Sequence, residues 1–232
     1  MFPMFDLTYF LFIAPGLILS LWASWRVKSN FRKYSAVRSM RGLTGAEAAA
    51  ELLRQGGVRD VRIERSHGML SDHYNPVTRT LALSDGVYGS TSVAAIGIAS
   101  HEAGHALQHA QNYGPLRLRS ALVPTASIGS NIGYFVMFLG LFIDPTLVLI
   151  GAVLFSAVLL FQIVTLPVEF DASNRAKALV LERGLIYPGE REGMDKVLNA
   201  AALTYVAAVV STLLTLLYFL LRAGLLGGRS DD

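Results

Sequence analysis

The stretch Ser92-Val93-Ala94-Ala95-Ile96-Gly97-Ile98-Ala99-Ser100-His101-Glu102-Ala103-Gly104-His105-Ala106-Leu107-Gln108-His109-Ala110-Gln111 decides how this chain is read. Ser90, Thr91 and Ser92 offer N-cap oxygens, the apolar run continues to about Gln111, and Gly114-Pro115 stops it, so one helix is expected with His101 and His105 near its middle. A step of four residues turns a helical side chain by roughly 40° and lifts it by about 6 Å, so both imidazoles can face one ion. Glu102 then points close to that ion without binding it. Two histidines bracketing a glutamate in this spacing suit Zn²⁺. Water on such a metal has its pKa lowered towards about 7, and a neighbouring carboxylate can take its proton and pass it to a leaving amine. The chemistry indicated is metal-assisted hydrolysis.

His109 continues the four-residue ladder, but it lies about 12 Å along the helix from His101 and cannot share its ion. A third ligand must come from elsewhere, and no turning glycine with a distant histidine follows the motif to supply it. The downstream segment Leu166-Pro167-Val168-Glu169-Phe170-Asp171-Ala172-Ser173-Asn174-Arg175-Ala176 offers Glu169, which follows a long apolar run and opens a polar, helical segment. Glu169 and Asp171 diverge by about 200° on a helix, so one of them reaches the metal. Glu169 is the better candidate, with Asp171 paired to Arg175 at i+4, and the alternative is that both acids cap a membrane helix at the water boundary.

The surroundings are those of a membrane protein. Of the 232 residues, 53% are hydrophobic and 16% charged, with mean hydropathy +0.45, outside the soluble range. Four stretches without Lys, Arg, Asp or Glu are long enough to span a bilayer: Leu7 to Trp25, Ala121 to Ile143, Thr146 to Val168 and Ala200 to Leu221. The first has Asp6 before it and Arg26, Lys28, Arg32 and Lys33 behind it, which reads as an anchor with its N-terminus outside rather than a signal peptide. By the positive-inside rule the segment after it is cytoplasmic, as Arg117 and Arg119 agree, and Asp144 faces outward. Arg175, Lys177, Arg183, Arg191 and Lys196 return the chain to the cytoplasm, and the tail with Arg222, Arg229, Asp231 and Asp232 ends outside. HEAGH and Glu169 therefore fall on one side and can meet. The five expected segments are an anchor (1–25), a cytoplasmic unit with the histidine helix (26–120), a transmembrane hairpin (121–168), a cytoplasmic segment with the third ligand (169–199), and a last span with its tail (200–232). The net charge of +3 suits contact with anionic inner-leaflet lipid rather than nucleic acid. The absence of cysteine fits a reducing compartment.

Within the cytoplasmic unit, Thr44 and Glu47 form a capping box opening a helix through about Gln55, closed by Gly56-Gly57. Val58 to Glu64 alternates as a strand, and a strand pair is expected at Met69 to Tyr74 and Thr80 to Leu83 around an Asn75-Pro76 turn. A short sheet beside the histidine helix could hold an extended peptide by main-chain hydrogen bonds. His73 or Tyr74 could then stabilise the oxyanion, or the turn could simply be held by Asp72 with Tyr74 half-buried. His67 reads as a loop residue. Gly129 to Gly133 is spaced for close helix contact, Ser127, Ser130 and Asn131 are expected to bond across the bundle, and Pro15, Pro124 and Pro167 to kink or end helices.

Taken with Gly68-Met69-Leu70-Ser71-Asp72-His73-Tyr74-Asn75-Pro76 ahead of it, the pair HEAGH and PVEFDASNRA resembles the YugP-like family of membrane zinc metallopeptidases over most of the chain. More distantly it is similar to the HtpX and CAAX-prenyl membrane proteases, where two histidines and a later helical glutamate bind zinc. The resemblance implies His101 and His105 as ligands, Glu102 as base and Glu169 as third ligand. In those distant relatives an aspartate follows the ligand glutamate by four residues, a position held here by Ser173. The implied fold is an α-helical integral membrane protein of about four transmembrane helices with a small cytoplasmic α+β zincin-like unit. The implied activity is a zinc-dependent endopeptidase of the cell membrane, acting on protein or peptide substrates that approach along the bilayer.

Other classes fit less well. A site-2 type intramembrane protease would bury its motif in a spanning helix, whereas the apolar run before His101 covers about nine residues and Gln108, Gln111 and Asn112 follow closely. A metal transporter would place ionisable ligands inside its spans, and these hold none. A non-catalytic metal-binding protein would tolerate loss of Glu102. Five histidines are too few for a multi-histidine di-iron centre.

Overall fold

A computed structural model of the chain describes residues 7–68 and 70–226. Met69, the expected start of the second strand, and Asp6, Arg229, Asp231 and Asp232, which flank the first and last apolar stretches, lie outside the described residues. In chain order the elements are α1 (Leu7–Ser35), α2 (Gly45–Gln55), β1 (Arg62–Ser66), β2 (His73–Asn75), β3 (Thr80–Ser84), α3 (Asp85–Tyr88), α4 (Val93–Ala110) and α5 (Gly114–Ile128). A π-helical turn at Gly129–Gly133 leads into α6 (Tyr134–Ile143), followed by α7 (Pro145–Glu182), a 3₁₀ turn at Pro188–Glu190 and α8 (Arg191–Arg222).

Four helical stretches are long and apolar enough to cross a membrane: Leu7–Ser35, Gly114–Ile143, Pro145–Glu182 and Pro188–Arg222, and each contains one of the expected spans. Their outward residues are apolar: Leu11, Ile18, Phe135 and Val153 are all more than half exposed. Such a surface is stable against lipid rather than water. The chain is a multi-pass membrane protein.

Two compact units form. The first comprises Met1–Ala23, Leu118–Leu166 and Thr204–Asp232. Its core includes Met137, Val148, Phe155, Tyr218 and Phe219. Glycines bring its backbones together: a Cβ on Gly129 would meet the Leu154 carbonyl oxygen at 2.4 Å, and one on Gly151 the Met137 nitrogen at 2.4 Å. The expected polar bonds across this bundle are corrected. Ser130 and Asn131 both donate to the carbonyl of Ser127 in their own helix, as short polar side chains next to a π turn readily do. The cross-helix hydroxyl contact is Ser20 with Ser211, at 3.1 Å. Pro15, Pro124 and Pro167 all lie inside helices rather than ending them.

The second unit comprises Ser24–Arg117 and Pro167–Leu203. Its core is built from α2, β3, α4, the end of α7 and the start of α8, with Leu52, Leu81, Leu83, Ile96, Val180 and Met194 fully or almost fully buried. The capping box of α2 is formed: Thr44 Oγ1 accepts from the Glu47 amide, and the Glu47 carboxylate accepts from the Thr44 amide. A cap of this kind is worth about 1 kcal/mol. The sheet has three strands in the order β1-β3-β2, β1 parallel and β2 antiparallel to β3. The first strand starts at Arg62 rather than Val58, because Val58 turns inward to complete the core beneath α2 and its amide bonds the Leu53 carbonyl. The turn after β2 is held by Asn75 Oδ1, which accepts from the amides of Val77 and Thr78. β3, buried on both faces, sits between an exposed β1 and the edge strand β2.

α4 is the central element of this unit. Ser92 caps it by accepting from the Ala95 amide, and Gln111 ends it. Gly97 packs against Met194 of α8, and Leu107 lies against Gly56 at the end of α2. The apolar residues before His101 are thus covered by protein, which explains a hydrophobic run too short for a span.

Candidate metal centre

His101 and His105 stand one turn apart on α4, their rings 4.7 Å between centroids and nearly perpendicular. Both Nε2 atoms face Glu169 Oε2 on α7, at 3.3 Å from His101 and 3.4 Å from His105. The ligating atoms of the three residues all lie within 4.8 Å of one another. Donors about 2.05 Å from a tetrahedral zinc stand roughly 3.3 Å apart, so the two nitrogen–oxygen separations already suit the ion. Two imidazoles and one carboxylate form the donor set of a catalytic zinc site, which keeps its fourth position for water or substrate. The donor set and spacing fit.

Glycine at position 104 makes the approach possible. A Cβ there would stand 2.8 Å from the carbonyl oxygen of Ala172, so α7 lies directly on the backbone of α4 between the two histidines. Glu169, one turn before Ala172, is thereby placed opposite both rings, and its side chain is almost fully buried. The carboxylate is drawn from the helix that continues past the third apolar run, as the sequence anticipates.

The far side of each ring is also held. His101 Nδ1 lies 3.1 Å from the Ser173 hydroxyl, and His105 Nδ1 lies 3.0 Å from Gln108 Oε1. At His101 a neutral hydroxyl, that of Ser173, therefore does the orienting. In the sequence Gln108 reads as one more polar residue after the motif, and its signal is its place three residues beyond His105. Asp171 pairs with Arg175 as expected, and it also accepts a hydrogen bond from Gln108.

Burial opposes a charge on His105, but its bond to Glu169, the negative charges of Glu102 and Glu169 and the contact with Gln108 outweigh it. Its pKa is raised above the ordinary 6.5. Glu102, the residue between the histidines, is buried with 8% of its surface exposed, and its charge is felt at the His105 ring.

The other sequence candidates are not among these three ligands. The Tyr74 hydroxyl bonds His109 Nδ1 at 2.8 Å, one turn past His105, while His73 Nδ1 is turned to the Ser71 carbonyl in an exposed position. Adjacent residues of a strand point to opposite faces, so the two cannot serve one site together. Asp72 holds its turn, accepting from the amide and the hydroxyl of Ser84. His67 is an exposed loop residue near Asp85.

Comparison with known proteins agrees with this centre. The family model described as "Putative neutral zinc metallopeptidase" matches residues 9–224. The chain is 46% identical over 224 residues to the "Putative membrane protease YugP" of Bacillus subtilis (strain 168), covering 96% of this chain and 98% of that protein. No solved structure matches.

Proposed function

The chain belongs to the neutral zinc metallopeptidase family, and from that premise we propose that it is an endopeptidase of the cell membrane that cuts membrane proteins or peptides at the cytoplasmic face, with Glu102 as general base. The observation that carries the reading is the convergence of His101, His105 and Glu169 within 4.8 Å.

Zinc, when bound there, polarises the scissile carbonyl and lowers the pKa of a water at the site. Glu102, adjacent in sequence to His101 yet outside the ligand cluster, receives the proton of the attacking water and delivers it to the departing amine, so that no charged leaving group is expelled. Its low exposure keeps bulk water from competing for that proton. β2 is an edge strand, bonded to β3 on one side, and its free side suits an extended peptide added as a further strand. For the oxyanion we assign Tyr74, whose phenol reaches α4 through His109, ahead of His73.

The cytoplasmic placement rests on charge. Arg26, Lys28, Arg32 and Lys33 follow the first apolar stretch, and Arg175, Lys177 and Arg183 follow the third, which by the positive-inside rule puts residues 26–120 and 169–199 inside and the N-terminus outside. Zinc analysis and proteolysis of the purified protein beside Glu102→Gln test the function: the variant keeps its zinc and loses cleavage. Undiminished cleavage by Glu102→Gln would refute the base, and zinc binding without cleavage in the wild type would leave a non-catalytic metal protein.

A further inference from the structure

Gln108 is fully buried, and its side-chain amide makes three contacts. Oε1 faces His105 Nδ1 at 3.0 Å, while Nε2 donates to the Val168 carbonyl at 2.8 Å and to Asp171 Oδ2 at 2.7 Å. The amide cannot be turned over. Reversed, its oxygen would face a carbonyl oxygen and a carboxylate oxygen, two acceptors with no proton to give. Oε1 must therefore face His105, and Nδ1 of that ring must carry the hydrogen. The lone pair of His105 is left on Nε2, the atom turned to Glu169.

The same side chain reaches the other helix at two points that flank Glu169, namely Val168 and Asp171. Asp171 in turn pairs with Arg175, whose guanidinium donates to Gln111 Oε1 and lies over the Tyr113 ring. Arg175 thus holds the Asp171 carboxylate in place, and Asp171 with the Val168 carbonyl pins the amide. We propose that Gln108 and Asp171 are positioning residues of the metal centre: a carboxylate–amide–imidazole relay fixes the tautomer of His105 and clamps Glu169's helix to the histidine helix. Residues behind a ligating imidazole typically alter metal affinity by about 10–100-fold. Ser173, whose hydroxyl bonds His101 alone among the described residues, has no such second task.

This rests on the reading of His101, His105 and Glu169 as a zinc site, and the test separates the two. Full-length protein in detergent is titrated with zinc against a chromophoric chelator, as wild type, Gln108→Leu and Asp171→Asn, with ring N–H exchange followed in zinc-loaded protein labelled with ¹⁵N-histidine. Wild type failing to bind zinc would sink the site itself. With wild type binding, Gln108→Leu is expected to raise the zinc Kd about 10–100-fold and to lose the slow exchange of the His105 Nδ1 proton, with helical content unchanged. Asp171→Asn raises the Kd by a smaller factor. Wild-type affinity together with wild-type proton exchange in Gln108→Leu would overturn the relay. Should that variant fail to fold, Asp171→Asn decides alone, and wild-type affinity and exchange there would overturn it equally.

Discussion

Gly104 lies so close to Ala172 that a single methyl group on it would stand 2.8 Å from the Ala172 carbonyl oxygen. The contact joins the helix of the two histidines to the helix of the glutamate at the level of the site, so its closeness is set by backbone and leaves no flexible side chain to give way. Gly104→Ala is expected to cost about 1–3 kcal/mol of stability, as overpacking does, and to weaken zinc binding by displacing Glu169. Thermal unfolding and chelator competition check this. A variant as stable and as zinc-avid as wild type would show that the helices are not so tightly joined.

Ser173→Ala removes the acceptor behind His101 while leaving the three ligands and Gln108 in place. Zinc affinity is expected to fall by about tenfold, the lower end of the range for residues behind a ligating histidine. Equilibrium dialysis against buffered zinc reads the change.

The raised pKa of His105 has a defined consequence for the metal-free protein. A group with a folded pKa above its unfolded value contributes stability that is full below the unfolded value, near 6.5, and is lost as pH rises through the folded value. Metal-free protein should therefore melt at higher temperature at pH 6 than above that folded value. Zinc must displace the same proton, so its affinity should begin to fall on acidification while the pH is still above 6.5. His105→Gln should flatten the dependence of the melting temperature on pH.

Tyr74→Phe is expected to lower turnover by about 10²–10³-fold with zinc content unchanged if the phenol serves the oxyanion, whereas His73→Ala changes little. Steady-state cleavage beside metal analysis gives the answer. Full activity in Tyr74→Phe would return the phenol to its contact with His109 as a packing feature.

Much of this architecture can be read directly from the residues. The capping box of Thr44 and Glu47, the cap at Ser92 and the four apolar stretches are local patterns with one physical interpretation each, and all are formed. The convergence of Glu169 on the histidine pair could also be anticipated, since a metal needs a third donor and Glu169 directly follows the third apolar run, on the side expected for the histidines. The parallel pairing of β1 with β3 could not, because register between strands separated by a third depends on tertiary packing rather than on the alternation of one segment. The late start of β1 has the same origin: Val58 alternates like a strand residue but is claimed by the core under α2. Gln108 was hidden for another reason. A buried amide acquires meaning only from the partners on both sides of it, here His105 and Asp171, which are 66 residues apart in the chain.

The zinc content of purified full-length protein, compared among wild type, Glu169→Ala and Asp171→Ala, bears most directly on the tripod formed by α4 and α7. The arrangement predicts about one zinc per chain in wild type, near-complete loss in Glu169→Ala and substantial retention in Asp171→Ala. Retention of zinc by Glu169→Ala together with its loss from Asp171→Ala would contradict it.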